Sequence, residues 1–187
     1  MLKGIPVELP AMLAWRESRA SLQRELTEKY HSPLLSFSLN IPGPVKTNAN
    51  LLRLFENGLS SITSLLQDMG VAVLETRERH APPGDECLMA FRGDARLVKE
   101  KMTVLEESHP LGRLFDIDIL DEGGGKLSRP RPRRCLICDE QAQVCARSRR
   151  HSVEELTGKI EEMLEAYASC GRQPGTDIYD LRGLAVK

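Results

Sequence analysis

The stretch "RLFDIDIL" at 113–120 alternates polar and apolar residues with period two, the pattern of a strand with one buried face. Phe115, Ile117 and Ile119 share that face, which leaves Asp116 and Asp118 side by side on the other. Two acids so placed are either the polar side of an edge strand or a pair positioned for chemistry. What the rest of the chain puts beside them decides.

Working outward from this strand, "CLMAFRG" (87–93) and "VAVLETRERH" (71–80) read as two more strands around the turn "APPGD". "LLSFSLNI" (34–41) reads as a first strand, ended by "PGP" at 42–44. Two amphipathic helices fall between the strands. One is capped by Thr47, carries Leu51, Phe55, Leu59, Ile62, Leu66 and Met69, and closes at Gly70; the other is capped by Asp94, carries Leu97, Val98, Met102 and Leu105, and stops before Pro110. The order β-α-β-β-α-β predicts an α+β fold, a ferredoxin-like antiparallel sheet over 33–121 with both helices on one face.

Residues 1–32 carry Val7, Leu9, Leu13, Leu22, Leu26 and Tyr30 among charges, which predicts one or two N-terminal helices. Residues 122–187 supply a Cys/Arg-rich loop and a C-terminal helix with Ser152 as cap, Glu155 at the capping-box position and Val153, Leu156, Ile160, Met163, Leu164 and Tyr167 on one side. With 187 residues, 41% of them hydrophobic, the chain supports one core with extensions, so 1–187 is read as a single domain. A formal charge of −1 excludes a surface built as a whole to coat nucleic acid, so anion binding must be local. No apolar run approaches the roughly 18 residues of a membrane span, and "MLKGIPVELP" lacks a secretory core, so a cytoplasmic protein without a membrane partner is expected. In that reducing setting the five cysteines are poor material for a disulfide framework, and the clustered three are expected as ligands or free thiols.

In such a sheet the first and fourth strands are neighbours, so "NIPGPVKTN" meets "GRLFDID" at one edge. Asn40, Lys46 and the start of the following helix are then expected to face Asp116 and Asp118. Paired carboxylates can hold Mg2+, which neutralises a polyphosphate, and a helix N-terminus beside a lysine suits a phosphate. Taken alone, Lys46 is an ordinary loop lysine.

The segment "RRCLICDEQAQVCARSRRH" (133–151) contains Cys135, Cys138, Cys145 and His151 in the spacing C-x2-C-x6-C-x5-H. Three thiolates and an imidazole make a sound tetrahedral Zn2+ set; the alternative is packed free thiols with a histidine turned to substrate. Arg129, Arg131, Arg133, Arg134, Arg147, Arg149 and Arg150 surround the set, and eight Lys or Arg stand against two acids between Lys126 and His151. Such density after the Gly/Pro-rich stretch "DEGGGKLSRPRPRRC" (121–135), read as a mobile loop, fits a lid over a highly charged ligand; the bland reading is solvated surface. Cys87 and Cys170 are expected as packing cysteines, and His31, His80 and His109 as surface residues.

"NIPGPVK" (40–46), "GRLFDIDIL" (112–120), "SRPRPRRCLICD" (128–139) and "CARSRRHSVEEL" (145–156) together resemble the holo-citrate lyase synthase family, the apo-citrate lyase phosphoribosyl-dephospho-coenzyme A transferases. The resemblance runs over roughly residues 5–170; the spacer before Arg133 is shorter than the family's usual one. It implies a nucleotidyltransferase that moves the prosthetic group from triphosphoribosyl-dephospho-coenzyme A onto a serine of the citrate lyase acyl carrier subunit, releasing diphosphate. For this chemistry Asp116 and Asp118 are expected as magnesium-binding catalytic residues. Asn40, Lys46, Arg113, Arg129, Arg133, Arg134, Arg147, Arg149, Arg150 and His151 would bind the substrate.

Two other classes compete. A zinc-knuckle module could bind RNA on the sheet, but only Phe37 and Phe91 are candidate stacking aromatics on central strands. A palm- or cyclase-like enzyme acting on free nucleotides shares the two-acid logic without a base-reading motif.

Overall fold

A computed structural model describes residues 2–169. It is an α+β protein whose elements run α1 (Leu9–Tyr30), β1 (Leu34–Leu39), α2 (Ala49–Asp68), β2 (Ala72–Ala81), β3 (Gly84–Arg92), α3 (Ala95–Ser108), a 3-10 turn (Gly112–Leu114), β4 (Phe115–Leu120), α4 (Ala142–Ser148) and α5 (Val153–Ser169). The strands form one antiparallel sheet in the order β2-β3-β1-β4. Ser36 lies opposite Asp118 and Ser38 opposite Asp116, so both acids stand on an outer strand, paired to small polar neighbours.

Side-chain alternation divides the sheet into two faces. Leu35, Phe37, Cys87, Met89, Phe91, Phe115, Ile117 and Ile119 bury one face under α2 and α3. Leu34, Leu88, Ala90 and Leu120 meet Leu26 of α1 on the other. A single N-terminal helix therefore covers the sheet face to which the aspartates belong. Polar contacts also tie it down: Arg19 Nε donates to Glu86 at 2.5 Å, and the Arg79 guanidinium lies 4.2 Å over the Trp15 ring. Within the main core Phe37 stacks on Phe55 (centroids 5.0 Å apart) and meets Phe115 edge-on at 5.5 Å. Gly58 lets α2 come this close, since a Cβ there would lie 2.6 Å from the Phe37 ring.

Several local expectations are corrected. Asn48, not Thr47, caps α2, accepting from the Asn50 and Leu51 backbone N–H groups, because the Thr47 hydroxyl is committed to Asp85. β3 begins at Gly84 rather than Cys87, because Asp85, expected in the turn, and Glu86 next to it are buried with partners. His109 is buried rather than on the surface. Its Nδ1 accepts from the Leu111 N–H at 3.0 Å, which leaves Nε2–H to donate to Asn57 Oδ1 at 3.2 Å. His80 is half-exposed and pairs with Asp85 at 2.9 Å, while His31 is exposed and ends α1 in a left-handed conformation. Cys87 is a buried packing thiol, and Cys170 lies outside the described residues.

The glycine-rich stretch after β4 folds as a tight turn. Asp121 Oδ1 accepts from the Gly123 and Gly125 N–H groups at 3.0 and 2.8 Å, and Gly124 takes the positive φ of 78° that the turn needs. The chain then doubles back along β4, where the Leu127 N–H donates to Ile119 O at 2.8 Å. A short helix, α4, sits where no regular element was expected, and Ser152 with Glu155 forms the reciprocal capping box of α5.

Candidate functional site

β4 presents Asp116 and Asp118 with side chains 43% and 24% exposed. Lys126 Nζ stands 2.5 Å from Asp118 Oδ2, delivered by the return of the chain along the strand. Arg133 reaches to 3.9 Å from Asp116 Oδ1 while donating to Glu106. Two carboxylates on one strand face offer the oxygen donors that a divalent cation takes.

Behind them lies a buried charged layer. Glu106 of α3 is 2% exposed and accepts from Arg133 and, at 3.0 Å, from the Ile117 N–H, with Arg129 Nη2 at 3.2 Å. Lys99, about two turns earlier on the same face of α3, donates to Ile117 O at 2.8 Å. Burial raises the Glu106 carboxyl, against the pull of Arg133, the Ile117 N–H, Arg129 and Lys99. Burial lowers Lys99, against Glu106 and Asp118. Lys99, Glu106 and Lys126 were not singled out from the sequence. The one signal for the first two was their seven-residue spacing on the face that also carries Met102, where charges on an apolar stripe ask for partners.

Two clefts meet at this edge. A charged one of about 640 Å³ is lined by Asp116, Asp118, Lys99, Lys126, Arg129, Arg131 and Arg133. A more apolar one of about 550 Å³ is lined by Pro42, Leu114, Leu136, Val153 and Leu156 together with Arg113, Arg149 and His151. Asn40, Arg133, Ala142 and Ala146 border both. Asn40 is set there by its own N–H, which donates to Leu114 O at 2.8 Å and so continues the β1–β4 pairing past the strand ends. Burial, then the neighbouring Arg133 and Arg129, lower Arg113, so positive charge accumulates where the clefts join.

The remaining expected residues divide. Lys46 shares a smaller cleft with Asp116 and Arg16; its ammonium donates to Ile41 O at 2.6 Å, and burial followed by Arg16 lowers its pKa. The N-terminus of α2 does not join it: Thr47 and Asn48 line a different cleft, with Gly4 and His80. Arg134 is exposed, gives its carbonyl to Arg113 and pairs with Asp139 at 3.5 Å. Arg147 and Arg150 are exposed and border neither main cleft. Phe37 and Phe91 are fully buried, so neither offers a stacking face to a base.

Cys135, Cys138, Cys145 and His151 converge, with their ligand atoms all within 4.8 Å of one another. Cys138 Sγ lies 3.5 Å from Cys145 Sγ and 3.3 Å from His151 Nε2. A tetrahedral zinc with bonds of about 2.3 Å to sulfur and about 2.0 Å to nitrogen needs edges of about 3.8 and 3.5 Å, so the set fits that ion with small adjustment. A hairpin closed by Cys135 N–H to Glu140 O at 2.6 Å and Ala142 N–H to Arg133 O at 2.8 Å brings the first pair together, and α4 carries the third thiol. Burial opposes ionisation of Cys135, but the Cys138 and Ile137 N–H groups aimed at its sulfur, with help from the Cys145 and Cys138 thiols, leave its pKa lowered. Burial, then the Cys138 and Cys135 groups, push Cys145 up to about 12.

The sequence profile of the family described as apo-citrate lyase phosphoribosyl-dephospho-CoA transferase matches residues 7–167. The chain belongs to that family. Both clefts and the Cys3His set fall inside the matched region. A Vibrio cholerae serotype O1 (strain M66-2) protein named "Probable apo-citrate lyase phosphoribosyl-dephospho-CoA transferase" is 39% identical over 172 residues, covering 89% of this chain and 96% of its own length. The "Apo-citrate lyase phosphoribosyl-dephospho-CoA transferase" of Escherichia coli O1:K1 / APEC is 34% identical over 168 residues, 88% of this chain and 92% of its own. "Protein CitXG" of Haemophilus influenzae is 36% identical over 167 residues, 87% of this chain but 36% of that longer protein. No helix among the described residues of this transferase-family chain is long and apolar enough to cross a membrane.

Proposed function

We propose that this chain acts as a single transferase domain that moves the phosphoribosyl-dephospho-CoA group from triphosphoribosyl-dephospho-CoA to a serine of the acyl carrier subunit of citrate lyase. The observation that carries the reading, beside family membership, is the junction of the two clefts at Asn40 and Arg133. One side offers carboxylates and arginines for a polyphosphate, the other an apolar slot for the rest of the donor. The sheet order β2-β3-β1-β4 supports assigning the core to the ferredoxin-like type.

In this reading the serine Oγ attacks the phosphorus nearest the ribose, the bond from that phosphorus to the bridging oxygen breaks, and diphosphate leaves with the electron pair. Reaction at phosphorus needs positioning and charge neutralisation more than a reactive side chain. Asp116, the more exposed acid, accepts the serine proton. Arg113, Arg129 and Arg133 hold the triphosphate, and Lys46 approaches Asp116 from the other side of Asn40. Arg134, Arg147, Arg149 and Arg150 form the outer cationic surface that the carrier and donor approach, with His151 beside them in the apolar cleft. Asp116 and Asp118 would hold Mg2+, which supplies neutralisation of the triphosphate when bound. The Cys135, Cys138, Cys145 and His151 set is assigned to Zn2+. Neither nucleic acid nor a membrane is a partner, and the cytoplasm is the setting in which carrier and donor meet.

The test is intact-mass analysis of the apo-carrier after incubation with donor and Mg2+. A mass gain equal to the phosphoribosyl-dephospho-CoA group, with one diphosphate per carrier, is expected. An unmodified carrier under conditions where the folded protein is present rules the reading out.

A further inference from the structure

We infer that the Cys3His set is the frame of the apolar donor-binding wall, so that bound zinc controls affinity for the dephospho-CoA part of the donor while the sheet core folds without it. The inference rests on the zinc assignment and the donor reading above, and it goes beyond both. Three of the four ligands, Cys135, Cys145 and His151, themselves line the apolar cleft, while Cys138 stands outside it. Of the residues that supply its apolar surface, Leu136, Ala142, Ala146, Val153 and Leu156 lie between the ligands or within five positions of the last one, while Pro42 and Leu114 come from the facing edge of the sheet core.

Arg113 donates to the Arg134 carbonyl and Leu136 packs against the main core, but the local structure between these anchors is short. α4 spans seven residues, Ala142–Ser148, too short to persist alone, and ends with Arg149 in a left-handed conformation at φ 48° that costs a non-glycine residue. The hairpin before it closes with two backbone hydrogen bonds around one isolated bridge, Arg134 to Gln141. No cysteine or histidine of the set belongs to the four strands, whose core is closed by α2 and α3. A cross-link through one ion is therefore the element that fixes Leu136, α4 and the start of α5 relative to one another.

Loading the site displaces three thiol protons. Zn2+ with three thiolates and a neutral imidazole carries a net charge of −1, and Arg149 lines the same cleft. The backbone N–H groups of Ile137 and Cys138 directed at the Cys135 sulfur would stabilise such a thiolate.

The experiment uses the full chain purified without chelator. Elemental analysis should give about one zinc per chain, Co2+ exchange should give thiolate-to-cobalt charge-transfer absorption, and Cys138→Ser should lose most of both. Less than about a tenth of an equivalent of zinc, after growth and refolding with zinc supplied, overturns the proposal. Backbone amide exchange is then compared with and without zinc. Faster exchange confined to 135–156 supports the frame; equal exchange there overturns it, as does collapse of protection in the four strands. Calorimetry with dephospho-CoA as probe should show affinity falling at least tenfold on zinc removal, and an unchanged affinity overturns the functional half. Should the zinc-loaded protein fail to bind dephospho-CoA at all, the donor reading fails, and amide exchange still decides the frame separately.

Discussion

Lys126 Nζ lies 2.5 Å from Asp118 Oδ2, so one of the two strand carboxylates is already matched by a cation from the same chain while Asp116 is left the more open. The two acids are therefore unequal. Asp116→Asn should lower carrier modification by about 10²–10⁴-fold, the scale of a lost proton acceptor, with unchanged thermal unfolding. Near-normal single-turnover rates in this variant would sink the assignment of Asp116.

Lys126 and a divalent cation would compete for Asp118. Lys126→Ala should therefore lower the Mg2+ concentration giving half-maximal rate severalfold, read from Mg2+ titrations at saturating donor. A higher Mg2+ requirement would instead make Lys126 a direct phosphate ligand.

Glu106 holds Arg133 and Arg129 from beneath, at 2% exposure. Glu106→Gln keeps the shape and removes the charge, leaving two guanidinium groups short of a partner. The loss should be about 3 kcal/mol in chemical denaturation, at the lower end for breaking a buried ion pair. The substrate effect should appear in KM for the donor more than in kcat, because Arg133 is misplaced rather than removed. An unchanged KM would confine Glu106 to stability.

Glu75 sits where Lys29, Tyr30 and Arg77 converge, and the hydrogen bonds from Lys29 and then Tyr30 hold its carboxyl down at about 2. A carboxyl lowered in the folded state contributes stability above its unfolded value near 4.5, and that contribution is lost as pH falls toward 2. Urea midpoints should therefore drop between those pH values more steeply in the parent chain than in Glu75→Gln. Parallel pH profiles for the two would refute the linkage.

Gly58→Ala tests the close approach of α2. Alanine gains about 1 kcal/mol of helix propensity, but its Cβ would sit 2.6 Å from the Phe37 ring and 3.0 Å from Phe115, between two fully buried aromatics. Overpacking of this kind costs about 1–3 kcal/mol. A net fall in thermal midpoint is expected, and a rise would show that the rings can part.

The strands and the two core helices were legible because their apolar periods are long and unbroken, as from Leu51 to Met69 and from Phe115 to Leu120. The pairing of β1 with β4 followed from connectivity, and it brought Asn40 and Lys46 toward Asp116. Polar residues that fold inward were not legible. Asp85, Glu86 and His109 look solvated by composition, and only partners distant in sequence, such as Arg19 for Glu86 and Asn57 for His109, make their burial tolerable. Lys99 and Glu106 were missed for the same reason. α4 was hidden by the arginines and cysteines around it, since a helix of one to two turns leaves no hydrophobic period to read.

At β4, the Ile117 N–H donates to Glu106 and its carbonyl accepts from Lys99, while Leu127 takes the carbonyl of Ile119. The outer border of the sheet at these positions is thus sealed against strand addition, the usual route by which an extended peptide docks on an open β-edge. In the proposed reaction a carrier serine would therefore reach Asp116 from a loop or helix end, by shape and charge, and a linear peptide carrying the same serine would lack that means of being held.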